Sequence, residues 1–118
     1  MRLLDLPGRS TVHSKNGMAA TSSPLSTATA IQVLMRGGNA LDAAIAAVAT
    51  QCVVEPQSTG IGGDMFCLYK PSSGKLVGFN GSGRAPAAAT PEWYAKQTIK
   101  TIERISPHSV TIPGAVDG

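Results

Sequence analysis

Aromatic residues are scarce in this chain: one Trp, two Tyr and two Phe among 118 residues. Any core must take its volume from Ala, Val, Ile, Leu and Met. Charge is scarce as well, at 14% of residues, and ten Lys and Arg against seven Asp and Glu leave a net charge of only +3. The basic residues are scattered, which argues against nucleic acid as a partner. No apolar run approaches the roughly 20 residues of a membrane-spanning helix, so no membrane partner is expected. Cys52 and Cys67 form neither a CxxC pair nor a metal-ligand spacing, and read as two small buried apolar residues. His13 and His108 lie far apart with no carboxylate at ligand spacing, so both read as loop histidines; neither a metal nor another cofactor is expected.

What remains is a weakly charged globular chain, 42% hydrophobic, long enough for one small domain or part of a larger one. Residues 1–16 lack periodicity and read as an irregular lead-in, with residues 17–118 forming the domain. Arg2, Asp5 and Arg9 interrupt the first ten residues, so no secretory leader is expected there and the cytoplasm is the expected compartment.

Residues 18–21 make a short strand candidate. Ser23-Pro24 reads as a helix start, with Ser23 capping and Pro24 at the first helical position, where a missing N–H costs nothing. That helix is expected to run to Arg36, bury Ala28, Ile31, Leu34 and Met35, and stop at Gly37-Gly38. Asn39, with Asp42 three residues on, opens a second helix. Its Leu41, Ala44, Ile45, Val48, Ala49 and Cys52 share one face, and Ala43, Ala46 and Ala47 lie opposite. Neither face favours water, which predicts burial against two neighbours. Glu55-Pro56 ends the helix. Residues 64–69 form an unbroken apolar run, the pattern of a strand covered on both faces. A turn at 71–74 leads to a second strand at 75–80, hence a hairpin. A short helix over 91–100 and a strand at 109–112 complete the expected elements.

Three stretches could carry chemistry. Gly60-Ile61-Gly62-Gly63 tempts a phosphate-binding reading, but it leads from helix to strand and lacks the GxGxxG spacing. It reads instead as a packing turn whose N–H groups Glu55 could accept. Residues 79–83 miss the Gly-x-Ser-x-Gly elbow of serine hydrolases, so no catalytic residue is assigned. Gly81-Ser82-Gly83-Arg84-Ala85-Pro86 is the best substrate-binding candidate. A guanidinium fork grips a carboxylate through two parallel hydrogen bonds, and flanking glycines permit close approach.

The runs NGMAATS, RGGNALDAA, VVEPQSTGIGGDMF and SVTIPGAVDG, in that order and spacing, resemble the gamma-glutamyltranspeptidase (glutathione hydrolase) family from about Lys15 to Gly118. The resemblance implies an α+β fold, part of the αββα sandwich of N-terminal-nucleophile hydrolases and incomplete in this chain. It implies acyl transfer from a γ-glutamyl amide such as glutathione to water or an amino acceptor. The nucleophile would be a threonine exposed by self-cleavage, carried by the remainder of the precursor, and the 118 residues alone are expected to be inactive. Typical relatives carry Arg-Glu-x-Ala-Pro, whose arginine holds the substrate α-carboxylate. Aligned on Ala85-Pro86, Ser82 takes the place of that arginine, Gly83 that of the glutamate, and Arg84 follows two residues later. Arg84 and Ser82 are thus the two candidate substrate contacts. A non-catalytic relative and an acyl-amide amidase on the same framework are the alternatives.

Overall fold

A computed structural model describes residues 11–117. The first ten residues of the expected lead-in, and with them the expected absence of a leader, lie outside the described residues. The element order is α1 (Pro24–Met35), α2 (Ala40–Val54), β1 (Met65–Tyr69), β2 (Val77–Gly81), α3 (Pro91–Lys96) and a 3₁₀ turn, Pro107–Ser109. Backbone contacts gather into two compact units, Met1–Val54 and Glu55–Gly118.

The first unit is a helical pair. Ser23 is extended (φ −106°, ψ 129°) and Pro24 occupies the first turn, as expected, but the Ser23 side chain makes no cap bond. Its carbonyl instead accepts the Thr21 hydroxyl at 2.6 Å and the Thr27 N–H at 3.1 Å. The helix stops where it should, and the reason is visible. Gly37 takes the left-handed conformation (φ +91°), its N–H bonds the Leu34 carbonyl, and the Gly38 N–H bonds the Val33 carbonyl. This is the Schellman arrangement, which satisfies carbonyls left over at a helix end. Asn39 then caps α2: its Oδ1 accepts the Leu41 and Asp42 N–H groups, and Asp42 Oδ2 accepts the Asn39 N–H at 2.9 Å. That reciprocal capping box is the one the spacing predicts.

The buried faces differ from expectation. Ala30, Ala43 and Ala47 form the core of the pair, with Ala19, Val33 and Leu34 packed against it and Ser26 fully enclosed. Ala28 is exposed, Ile31 and Leu34 are half-buried, and Met35 is 81% exposed. On α2, Leu41, Ile45 and Val48 are exposed as well. The physical reason is distance. Each helix has the other as its neighbour, and the alanine and serine faces allow the closest approach, so the small side chains are sealed while the large ones point outward. Thr50 ties the pair further, donating to Thr29 at 3.1 Å.

The second unit holds the predicted hairpin. β1 and β2 pair antiparallel, from Met65 opposite Gly81 to Tyr69 opposite Val77. Phe66 and Leu68 are exposed, Met65 and Cys67 half-buried, so the apolar run has little cover within this unit. Cys52 and Cys67 are both free and half-buried. α3 is shorter than expected. Thr90 Oγ accepts the Trp93 N–H at 3.2 Å, and the chain turns at Thr98, which sits at φ +58°. Two expected strands, 18–21 and 109–112, are absent. Neither has a ladder partner among the described residues, and without one an extended segment is not a strand. The fold is α+β as expected, with a single two-stranded sheet among the described residues.

Candidate functional site

The loop that follows β2 is tied to segments distant in sequence within the second unit. Asn80 Oδ1 accepts the Ser82 N–H at 3.0 Å, turning the chain away from the hairpin. The Gly83 N–H then donates to Asp64 Oδ1 at 2.7 Å, and the Arg84 carbonyl accepts the Ile112 N–H at 2.9 Å. The Thr111 hydroxyl approaches the same Asp64 oxygen at 3.4 Å. On the other side, the Gly63 carbonyl accepts the N–H groups of Gly114 (3.0 Å) and Ala115 (2.9 Å). Three segments of the chain, 63–65, 80–84 and 111–115, are thereby stitched together by backbone and by one carboxylate.

Glycine is required at this seam. A Cβ on Gly83 would fall onto the Ile112 carbonyl, and one on Gly114 would lie 2.6 Å from the Gly83 nitrogen. The glycines flanking Ser82 and Arg84 were expected to let backbone and ligand approach closely. Gly83 admits the backbone of Ile112, and Ser82 and Arg84 are both exposed. The turn at 60–63, expected to be a packing element, is exposed, with open space beside Gly60 and Gly62. The Glu55 backbone carbonyl accepts the N–H groups of Ser58 and Thr59, ahead of that turn, each at 3.1 Å.

Beyond Pro86 lies an open cavity of 170 Å³, lined by Pro86, Trp93, Tyr94, Pro107, His108 and Val110 among others. His108, read from sequence as an isolated loop histidine, sits 5.7 Å from the ring centres of both Trp93 and Tyr94, which meet each other edge-on at 5.1 Å. It is exposed, as a loop histidine is expected to be, and stands in an aromatic trio. No group of metal-ligating side chains occurs among the described residues, and no described helix is long and apolar enough to cross a membrane.

A sequence profile of the family described as gamma-glutamyltranspeptidase matches residues 26–118. The chain belongs to the gamma-glutamyltranspeptidase family. It is 38% identical over 109 residues to the glutathione hydrolase proenzyme of Bacillus subtilis strain 168, covering 88% of this chain and 19% of that protein. It is also 38% identical over 112 residues to the oxamate amidohydrolase proenzyme of Klebsiella pneumoniae, covering 91% and 21%. Among solved structures, Helicobacter pylori gamma-glutamyltranspeptidase superposes with a TM-score of 0.79 at 30% identity, over 92% of this chain and 32% of that one. The chain spans about a fifth of the length of these relatives. In the transpeptidase-family segment, Ser82 lies three residues before the Ala85-Pro86 pair and Arg84 directly before it.

Asp64, Thr111 and Gly114 escaped the sequence reading as site residues. Asp64 looked like the polar end of a strand, and Thr111 like part of another. The available signal was an acid placed directly after a glycine turn, where free backbone N–H groups are abundant.

Proposed function

We propose that these residues form one wall of the substrate pocket of an enzyme that transfers a γ-glutamyl-type acyl group to water or to an amino acceptor, and that Arg84 holds the substrate carboxylate. The observation that carries this reading is the pinned loop itself: the backbone on both sides of Arg84 is fixed, while its guanidinium is exposed to meet a ligand. A fixed base for a flexible fork lowers the entropy lost on binding. The nucleophile, on this reading, is a threonine hydroxyl elsewhere in the precursor, with its own α-amine as base and an acyl-enzyme as intermediate. The partners are therefore a small γ-glutamyl amide such as glutathione and the remainder of the same precursor, which supplies the other layers of an αββα sandwich over the hairpin and α2.

A second reading has its own observation. Ser82 stands where the family arginine is expected, and one relative is named an oxamate amidohydrolase. A short acyl amide with a carboxylate of its own would suit the same loop without a γ-glutamyl chain.

The test is steady-state kinetics of the full-length gene product on γ-glutamyl-p-nitroanilide and on oxamate. Arg84→Lys keeps the charge and loses the planar fork, so kcat/KM should fall about tenfold, ~1.4 kcal/mol. Ser82→Ala should cost less. If Ser82→Ala depresses kcat/KM and Arg84→Lys does not, Ser82 is the contact and the assignment to Arg84 fails. Turnover of oxamate without turnover of the γ-glutamyl substrate would select the second reading.

A further inference from the structure

We infer that Asp64 is the positioning residue of the Arg84 loop, holding it from the foot of β1 through the Gly83 N–H. The inference rests on the reading of this loop as substrate-binding, and deepens it. No side chain at position 83 itself can brace the loop, since a Cβ at Gly83 would fall onto the Ile112 carbonyl. The brace comes from 19 residues earlier, where Asp64 Oδ1 accepts the Gly83 N–H at 2.7 Å.

What that bond does follows from where it lies. The Gly83 N–H belongs to the peptide joining Ser82 and Gly83. The Arg84 carbonyl, held by Ile112, belongs to the peptide joining Arg84 and Ala85. Two hydrogen-bonded peptide groups therefore bracket the Gly83 and Arg84 backbone and restrict its torsions, while the Arg84 side chain stays exposed. Gly83 is where such a loop would otherwise be loosest, since glycine loses more conformational freedom on ordering than any other residue. A charged acceptor is about twice as strong as a neutral one on the same donor, which is why a carboxylate suits this place. The Thr111 hydroxyl, 3.4 Å from the same oxygen, orients the carboxylate from the opposite segment. Asp64 touches no substrate atom on this account and acts through Gly83.

The experiment uses the full-length gene product with Asp64→Ala and Asp64→Asn, because asparagine keeps an acceptor oxygen and loses the charge. Amide hydrogen exchange in the peptide spanning residues 78–86 should accelerate at least about tenfold at Gly83 in Asp64→Ala and by less in Asp64→Asn. KM for the carboxylate-bearing substrate should rise about tenfold in Asp64→Ala with kcat within about twofold, and Asp64→Asn should recover most of it. Combining Asp64→Ala with Arg84→Lys should cost little more than either change alone, since both act through one contact. Unchanged Gly83 exchange in Asp64→Ala overturns the inference whatever the activity. Fully additive losses overturn it too, as does a fall in kcat that asparagine does not rescue. If the protein turns over neither substrate while exchange responds as described, the positioning role stands and the substrate reading falls.

Discussion

Making Ile45 polar and Ala47 large, one at a time, tests which face of α2 meets α1. Ala47 is 5% exposed and Ile45 is 63% exposed, although sequence periodicity favours Ile45 as the core residue. Fully burying an isoleucine is worth about 1.5–3 kcal/mol, and with roughly a third of Ile45 covered, Ile45→Gln should cost below about 1 kcal/mol. Ala47→Leu adds three carbons to a contact closed by Ala30 and Ala43, where overpacking costs about 1–3 kcal/mol. In the 118-residue chain, urea unfolding followed by far-UV circular dichroism should therefore lower the midpoint clearly for Ala47→Leu and scarcely for Ile45→Gln. In the full-length gene product the ranking should tighten or reverse, because the Leu41, Ile45 and Val48 face then lies under the layer proposed to cover it. A chain in which Ile45→Gln melts the helices while Ala47→Leu leaves them intact would refute the packing described here.

Ser26 is fully buried with its hydroxyl unpartnered, so Ser26→Ala should raise stability by about 1 kcal/mol through lost desolvation and better helix propensity, read as a higher melting temperature. Thr98 holds the left-handed position after α3 that glycine normally fills, and Thr98→Gly should stabilise by about 0.5 kcal/mol after the entropy cost of glycine, seen as slower exchange at the Ile99 amide. Gly114→Ala should cost about 1–3 kcal/mol by pushing residues 81–83 away, whereas Gly60→Ala, with open space around it, should be near neutral in the same thermal melt.

Local chemistry was the legible part of the fold. The glycine pair after Arg36 and Asn39 with Asp42 fix helix ends through bonds between residues two to five positions apart, and Pro24 through the N–H it lacks, and such local features can be read from spacing. The apolar runs around Phe66 and Phe79 likewise announce a hairpin. The choice of buried face was not legible. Leu41, Ile45 and Val48 are more apolar than Ala43 and Ala47, and only the distance between two helices decides in favour of the small ones. The loop was legible as chemistry, through Arg84 and its family landmark, and not as construction. Asp64 acts on Gly83, Ile112 on Arg84, and Gly114 on Gly63, pairings that no periodicity encodes.

Those pairings also impose an order on events during synthesis. The Thr111 hydroxyl reaches Asp64 across 47 positions of sequence, and Gly63 waits for Ala115. Closing such a span costs entropy only slowly with its length, but it cannot happen before the later residues leave the ribosome. The hairpin can form as soon as its second strand emerges, whereas the Arg84 loop can be secured only once residues 111–115 reach Gly63, Asp64 and the Arg84 carbonyl. The proposed ligand contact therefore depends on a segment made after it.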